Sequence, residues 1–221
     1  TTSQPSPGEF VAVLQRARDE TDAETVIAVT ISSALSGTYA SAQQAVKMVD
    51  FPVHLVDSRT ASGALGLHVL AVADARDRGA SAQEAIRLAN EYARRTRAML
   101  TVDTLEYLHR SGRVTGLRRW IGTALQVKPI LHVVDGRIVP LESARGRRNS
   151  LRRMLEIFGS WVEASKPLHV AILHGNSSDE ADMFEAEIVR RWPPAFLMKV
   201  LASATVGAIT GPKAMGLTLL Q

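Results

Sequence analysis

The 221-residue chain has no cysteine, which excludes disulfides, thiolate metal sites and cysteine nucleophiles together. Its six histidines (His54, His68, His109, His132, His169 and His174) are scattered and form no HExxH pair. A zinc centre is therefore not expected, and most of them are read as structural. Neither a G-x-G-x-x-G run nor a P-loop occurs, so autonomous use of ATP or NAD is not expected. The start, Thr1-Thr2-Ser3-Gln4-Pro5, lacks a basic and then apolar leader, and a cytosolic location is the default expectation. The apolar stretch Thr60 to Ala73 runs only 14 residues between charges, short of the roughly 18 that would mark a membrane span. No stable membrane insertion is expected.

What is present is a globular composition, 46% hydrophobic and 22% charged, enough for one large or two small domains with a substantial core. The net charge is +4, but it is unevenly placed. Between Arg110 and Arg153 stand eleven basic residues and only two acids, Asp135 and Glu142, a local +9 that leaves −5 for the remainder. Such a segment suits phosphate, an acidic protein, an anionic membrane surface or nucleic acid; an arginine-rich solvated face with no partner fits it equally.

Local pattern gives an α/β rhythm. Ser6-Pro7-Gly8-Glu9 has the form of a capping box and predicts a helix to about Asp19. The β-branched run Thr25 to Ile31 predicts a buried parallel strand, followed by a Ser-Gly turn and a helix from Tyr39 to Met48. A strand over Pro52 to Val56, a helix over Ala61 to Arg78, a helix from Ser81 to about Thr96 and a strand over Ala98 to Asp103 come next. The pattern then turns basic and glycine-punctuated around Ser111-Gly112-Arg113. Two units are expected: an N-terminal α/β domain, 1–100, with a parallel sheet flanked by helices, and a C-terminal α/β domain, 101–221, with a mixed sheet. In the second, Pro129 to Val134 and Arg137 to Leu141 read as a hairpin about Asp135-Gly136. A helix over Ser150 to Ala164, a strand over Leu168 to Leu173, a second capping box at Ser177 to Glu180 opening a helix to Trp192, and a final apolar strand after Gly211-Pro212 complete the pattern.

The turn Ile31-Ser32-Ser33-Ala34-Leu35-Ser36-Gly37-Thr38-Tyr39 carries the chemistry. A strand ending in serines and turning into a helix offers hydroxyls and free N–H groups at a helix N-terminus, an anion site, beyond the carboxyl end of a parallel strand, where ligands tend to lie. An ordinary N-cap without ligand reads the same way, although three serines exceed what capping needs. Ser33 and Ser36 lack the G-x-S-x-G setting of a hydrolase nucleophile. Gly175-Asn176-Ser177, beside His174, is a second polar turn.

Ordered motifs then point to a family. Thr2-Ser3-Gln4-Pro5-Ser6, the serine turn, Val56-Asp57-Ser58, Val102 to Leu108, Ser111-Gly112-Arg113, Lys128-Pro129-Ile130-Leu131 and Thr210-Gly211-Pro212 resemble, in this order and over nearly the whole chain, the DegV proteins. These are fatty-acid-binding proteins that include the B subunit of bacterial fatty acid kinase. The resemblance implies a two-domain α/β protein that binds a long-chain fatty acid as its ligand, uses no cofactor and is not itself an enzyme. It would present the acid to a separate ATP-using kinase subunit. Thr2 and Ser33 would contact the carboxylate, with Ser32, Ser36 and Gly37 supporting the turn; Arg113 and Arg145 would face a phosphate or the kinase subunit. The alternative is a regulatory or nucleic-acid-binding protein using the basic face, although no nucleic acid is expected as a partner if the resemblance holds. Two departures stand out. The family's first strands are not represented, and the histidine that precedes Thr-Gly-Pro in members similar to the kinase subunit is here Ile209.

Overall fold

A computed structural model of the chain describes residues 2–114, 116 and 127–221. Two arginines of the basic segment, Arg118 and Arg119, lie outside the described residues. The first sheet has two parallel strands, β1 (Val26–Thr30) and β2 (Val53–Asp57), paired in register from Val26 opposite Val53 to Thr30 opposite Asp57. Both strands therefore end at the same edge, where the serine turn and Asp57 emerge. Around this sheet lie α1 (Pro7–Thr21), α2 (Thr38–Val46), α3 (Ser62–Asp77) and α4 (Ala82–Arg95).

The second sheet has six strands. In chain order they are β3 (Arg97–Thr101), β4 (Val127–Val134), β5 (Arg137–Arg145), β6 (His169–His174), β7 (Phe196–Leu201) and β8 (Met215–Leu220). Their spatial order is β5-β4-β3-β8-β6-β7, antiparallel except for the β6–β7 pair. The helices α5 (Glu106–Ser111), α6 (Arg147–Trp161), α7 (Ser178–Arg191) and α8 (Ala204–Thr210) complete the chain. The expected parallel sheet followed by a mixed sheet is what forms, but β3 pairs into the larger sheet between β4 and β8.

Strand alternation explains where the core ends and a void begins. On one face of the large sheet Met99, Ile130, Val170, Ile172, Met215, Leu217 and Leu219 pack against Leu151, Met154, Phe158, Phe184 and Ile188 of α6 and α7. Successive strand residues point to opposite faces, so the other face receives Ala98, Ala171, Gly216 and Thr218. Against these small residues lies α3. Its Leu67 joins a cluster with Ala171 and Leu220, while its Val72 packs with Val56 of β2 and with Ala85 and Ala89 of α4. A helix caught between two sheets needs apolar residues on more than one face, as the sequence Ala64 to Val72 provides.

The capping box at Ser6 forms: its hydroxyl accepts from Glu9 N, and the Glu9 carboxylate accepts from Ser6 N at 2.7 Å. That at Ser177 does not, because its side chain makes no cap hydrogen bond. Glu180, which would have completed it, is held by Arg147, whose Nε and Nη2 donate to the two carboxylate oxygens at 3.0 and 2.5 Å. A long-range bidentate pair outcompetes a local cap. The hairpin turn is as expected, with Asp135 and Gly136 both at positive φ (48° and 77°). The strand β7 and the helices α5 and α8 carried no sequence expectation. The longest uncharged stretch, the 22 residues from Thr25 to Val46, is divided among β1, the turn and α2. No helix of the described residues is long and apolar enough to cross a membrane.

Candidate acyl-binding cavity

Between the two sheets is a cavity of about 400 Å³. Its floor is the small-residue face of the large sheet, Ala98, Leu100, Ala171, Leu173, Gly216 and Thr218. Its sides are Ile31 and Leu35 of the serine turn, Val133 and Ile138 of the β4–β5 hairpin, and Val206 and Ile209 of α8. Polar groups in the wall include Thr2, Ser3 and Gln4 from the N-terminal segment, Ser36 and Thr38 from the turn, and Thr60, Ser62, Arg113, Thr205 and Thr210; the first two groups meet where Gln4 lies against Gly37. A largely apolar cavity of this size with a few convergent polar groups is the usual form of a small-molecule site.

The structure brings the N-terminal motif onto the turn. The Gln4 carboxamide lies over Gly37, where a Cβ would stand 3.0 Å from it. Ser36 and Thr38 share a hydroxyl–hydroxyl hydrogen bond at 2.8 Å, and Thr38 N donates to Ser36 Oγ. Two hydroxyls with one bond between them leave one proton free to donate into the cavity.

The other two serines are engaged elsewhere. Ser33 is exposed and outside the cavity wall; its Oγ donates to Asp57 at 2.6 Å, and its N–H faces the same carboxylate at 3.3 Å. Asp57 also accepts from Arg59 N at 2.9 Å, so it ties together the carboxyl ends of β1 and β2. Ser32 is buried; its Oγ donates to the Gly136 carbonyl at 2.8 Å. No histidine is hydrogen-bonded to Ser32, Ser33 or Ser36 among the described residues. His174 instead accepts from Ser177 N at 3.4 Å. His68 is fully buried against Thr96, and burial pushes its pKa down to about 4.

Of the basic residues singled out, Arg113 reaches the cavity wall, with its Nη1 donating to the Ser111 carbonyl at 2.5 Å. Arg145 closes β5 opposite Val127, away from the cavity wall. In the surrounding basic segment, Arg147 pairs with Glu180 and Lys128 with Asp103 across the fold, Arg110 with Glu106 and Arg152 with Glu156 one helical turn away, and Arg153 with Glu142 and Glu156. The Lys128 ammonium, donating at 2.8 Å, holds the Asp103 carboxyl below the usual range. Ile209 sits in the cavity wall. The residues that sequence reasoning missed are the small ones of the floor. Their signal is readable in β8, Met215-Gly216-Leu217-Thr218-Leu219, where large and small residues alternate.

Comparison with known proteins identifies the family and the fold. A family model described as an uncharacterised protein of the DegV family matches residues 1–221. Protein DegV of Bacillus subtilis is 35% identical over 219 residues, covering 98% of this chain and 77% of that protein. Among solved structures, the chain superimposes on a fatty-acid-binding DegV family protein from Thermus thermophilus with a TM-score of 0.92 at 30% identity, covering 100% of this chain and 79% of that one. It also matches a DegV lipid-binding protein from Thermotoga maritima with a TM-score of 0.90 at 26% identity, covering 100% and 77%. Matched along its whole length by the family model and by relatives of the same architecture, the chain belongs to the DegV family.

Proposed function

We propose that this chain binds a long-chain fatty acid, with the acyl tail in the cavity between the sheets and the carboxylate where the N-terminal segment meets the serine turn. The observation that carries the reading is the coincidence of a largely apolar cavity floored by Ala98, Ala171, Gly216 and Thr218 with the hydroxyls of Thr2, Ser36 and Thr38 in its wall, where the N-terminal segment meets the turn. Burying a 16-carbon tail contributes on the order of 10 kcal/mol before association costs, at about 0.8 kcal/mol per CH₂. A carboxylate withdrawn from water needs several hydrogen bonds to offset its desolvation. Thr2, the Ser36–Thr38 pair and the backbone at Gly37 would provide them, with Ser32 and Ser33 holding the turn through Gly136 and Asp57. Ser33 would reach the carboxylate directly only by giving up Asp57.

The chain acts in this reading as a carrier, not a catalyst: it holds the acid for a separate ATP-using kinase subunit. Arg113 at the cavity wall, and Arg145 at the end of β5, face the phosphate or that partner. With Ile209 in place of a histidine, no imidazole at that position assists the head group. The pairing of Lys128 with Asp103 and of Arg147 with Glu180 lowers the charge the basic segment offers to a polyanion. Calorimetric titration of delipidated protein with palmitate or oleate tests the proposal. Saturable binding with one acid per chain is expected; no heat of binding with either acid overturns it.

A further inference from the structure

Ser32 and Gly136 are 104 positions apart, one on the serine turn of the small sheet and the other at the hairpin tip of the large one, yet they are joined by a buried 2.8 Å hydrogen bond. Ser32 is the point from which the turn hangs. Its N–H donates to the Thr60 carbonyl at 2.8 Å, and its own carbonyl accepts from Leu35 N at 3.0 Å and Ser36 N at 3.2 Å. Its Oγ accepts from Ala34 N at 3.2 Å while giving its one proton to Gly136. A hydroxyl has a single proton to donate, so Ser32 has none left for a ligand.

The hairpin side is equally committed. Gly136 has φ +77°, and a Cβ there would lie 2.4 Å from Ser32 Oγ and 3.5 Å from Arg59 Cα. Glycine is thus required twice, by backbone conformation and by the closeness of Ser32. Beside it Asp135 pairs with Arg59 at 3.5 Å, a second link between the same two segments. The hairpin residues Val133 and Ile138 form the cavity wall with Ile31 and Leu35 of the turn, and Ser36 and Thr38 of the same turn belong to that wall.

We infer that Ser32 and Gly136 are positioning residues for the head-group site: their clasp sets where the Ser36 and Thr38 hydroxyls stand, although neither touches the ligand. The inference rests on the carboxylate lying at Ser36 and Thr38, as proposed above. The floor beneath the tail comes from β3, β6 and β8, which the clasp does not join. Loosening the clasp therefore costs more in recognition of the carboxylate than in burial of the chain.

Comparing oleate with oleyl alcohol on delipidated protein separates the two. Wild type is expected to prefer oleate. Ser32→Ala should lose about tenfold in oleate affinity, the scale of one hydrogen bond, with little change for the alcohol. Gly136→Ala should do the same, and Ser32→Ala/Gly136→Ala should be no worse than the worse single variant, because removing Oγ removes the atom the new Cβ strikes. Since Gly136→Ala also puts alanine at positive φ, Ser32→Ala carries the test by itself. Equal loss of both ligands in Ser32→Ala, or unchanged oleate affinity, overturns the inference alone. A wild type with no preference for oleate overturns the carboxylate assignment beneath it.

Discussion

The serines of the turn show how identical side chains take different tasks from their partners. Ser32 gives its proton to Gly136 and Ser33 gives its proton to Asp57, whereas Ser36 shares one with Thr38 at the cavity wall. Ser36→Ala is expected to weaken oleate binding by about 1 to 3 kcal/mol, measured by titration, with little change in Tm. Ser33→Ala should weaken it too, and Asp57→Asn should reproduce that effect, since Ser33 acts through Asp57. That the turn is polar was legible in the sequence. The division of labour was not, because Asp57 lies 24 residues away and Gly136 lies 104 residues from its serine. A different residue-scale expectation concerns His68, whose folded pKa of about 4 lies below the ordinary 6.5 because burial disfavours its charged form. The unfolded chain then binds the proton more readily, so this contribution is fully present above pH 6.5 and lost as pH falls towards 4, by up to about 3 kcal/mol. Urea unfolding at pH 7 and pH 4.5 should show the loss in wild type and much less of it in His68→Gln.

Among the elements, local signals located most helices and strands, but not every partner. The two capping-box sequences behave differently because the Glu9 carboxylate is hydrogen-bonded to Ser6, while Glu180 is claimed by Arg147. Ser6→Ala should therefore cost about 1 kcal/mol of unfolding free energy, and Ser177→Ala close to nothing, by denaturant titration. Glu180→Gln should cost more than Ser177→Ala, since it leaves a half-buried arginine without its carboxylate. The helix α8 is seven residues long and β7 lies at the sheet edge with no fully buried residue, so neither offers a clear period to read. The alternation in β8 is the most informative missed signal, because the small side of a strand marks a place where a core is left unfilled. Thr218→Leu, which adds bulk to that face, is expected to weaken oleate binding more than laurate binding in a competition assay.

At the scale of the whole molecule, the strand–turn–helix rhythm was enough to foresee an α/β protein with a parallel and a mixed sheet. How the sheets oppose each other was not, because it depends on α3 lying between them and on the clasp from the hairpin to the turn. The charge map changes as well. In the +9 segment Arg110 and Arg152 pair with Glu106 and Glu156 one helical turn away, whereas Lys128 and Arg147 meet Asp103 and Glu180 only in space. What remains is a largely apolar cavity with hydroxyls in its wall, and its content is the central question. Native mass spectrometry of protein purified without detergent, followed by lipid extraction, addresses it most directly. The account predicts one long-chain fatty acid per chain, lost on delipidation and restored by added oleate or palmitate; protein that carries no acyl species and takes up neither acid would contradict it.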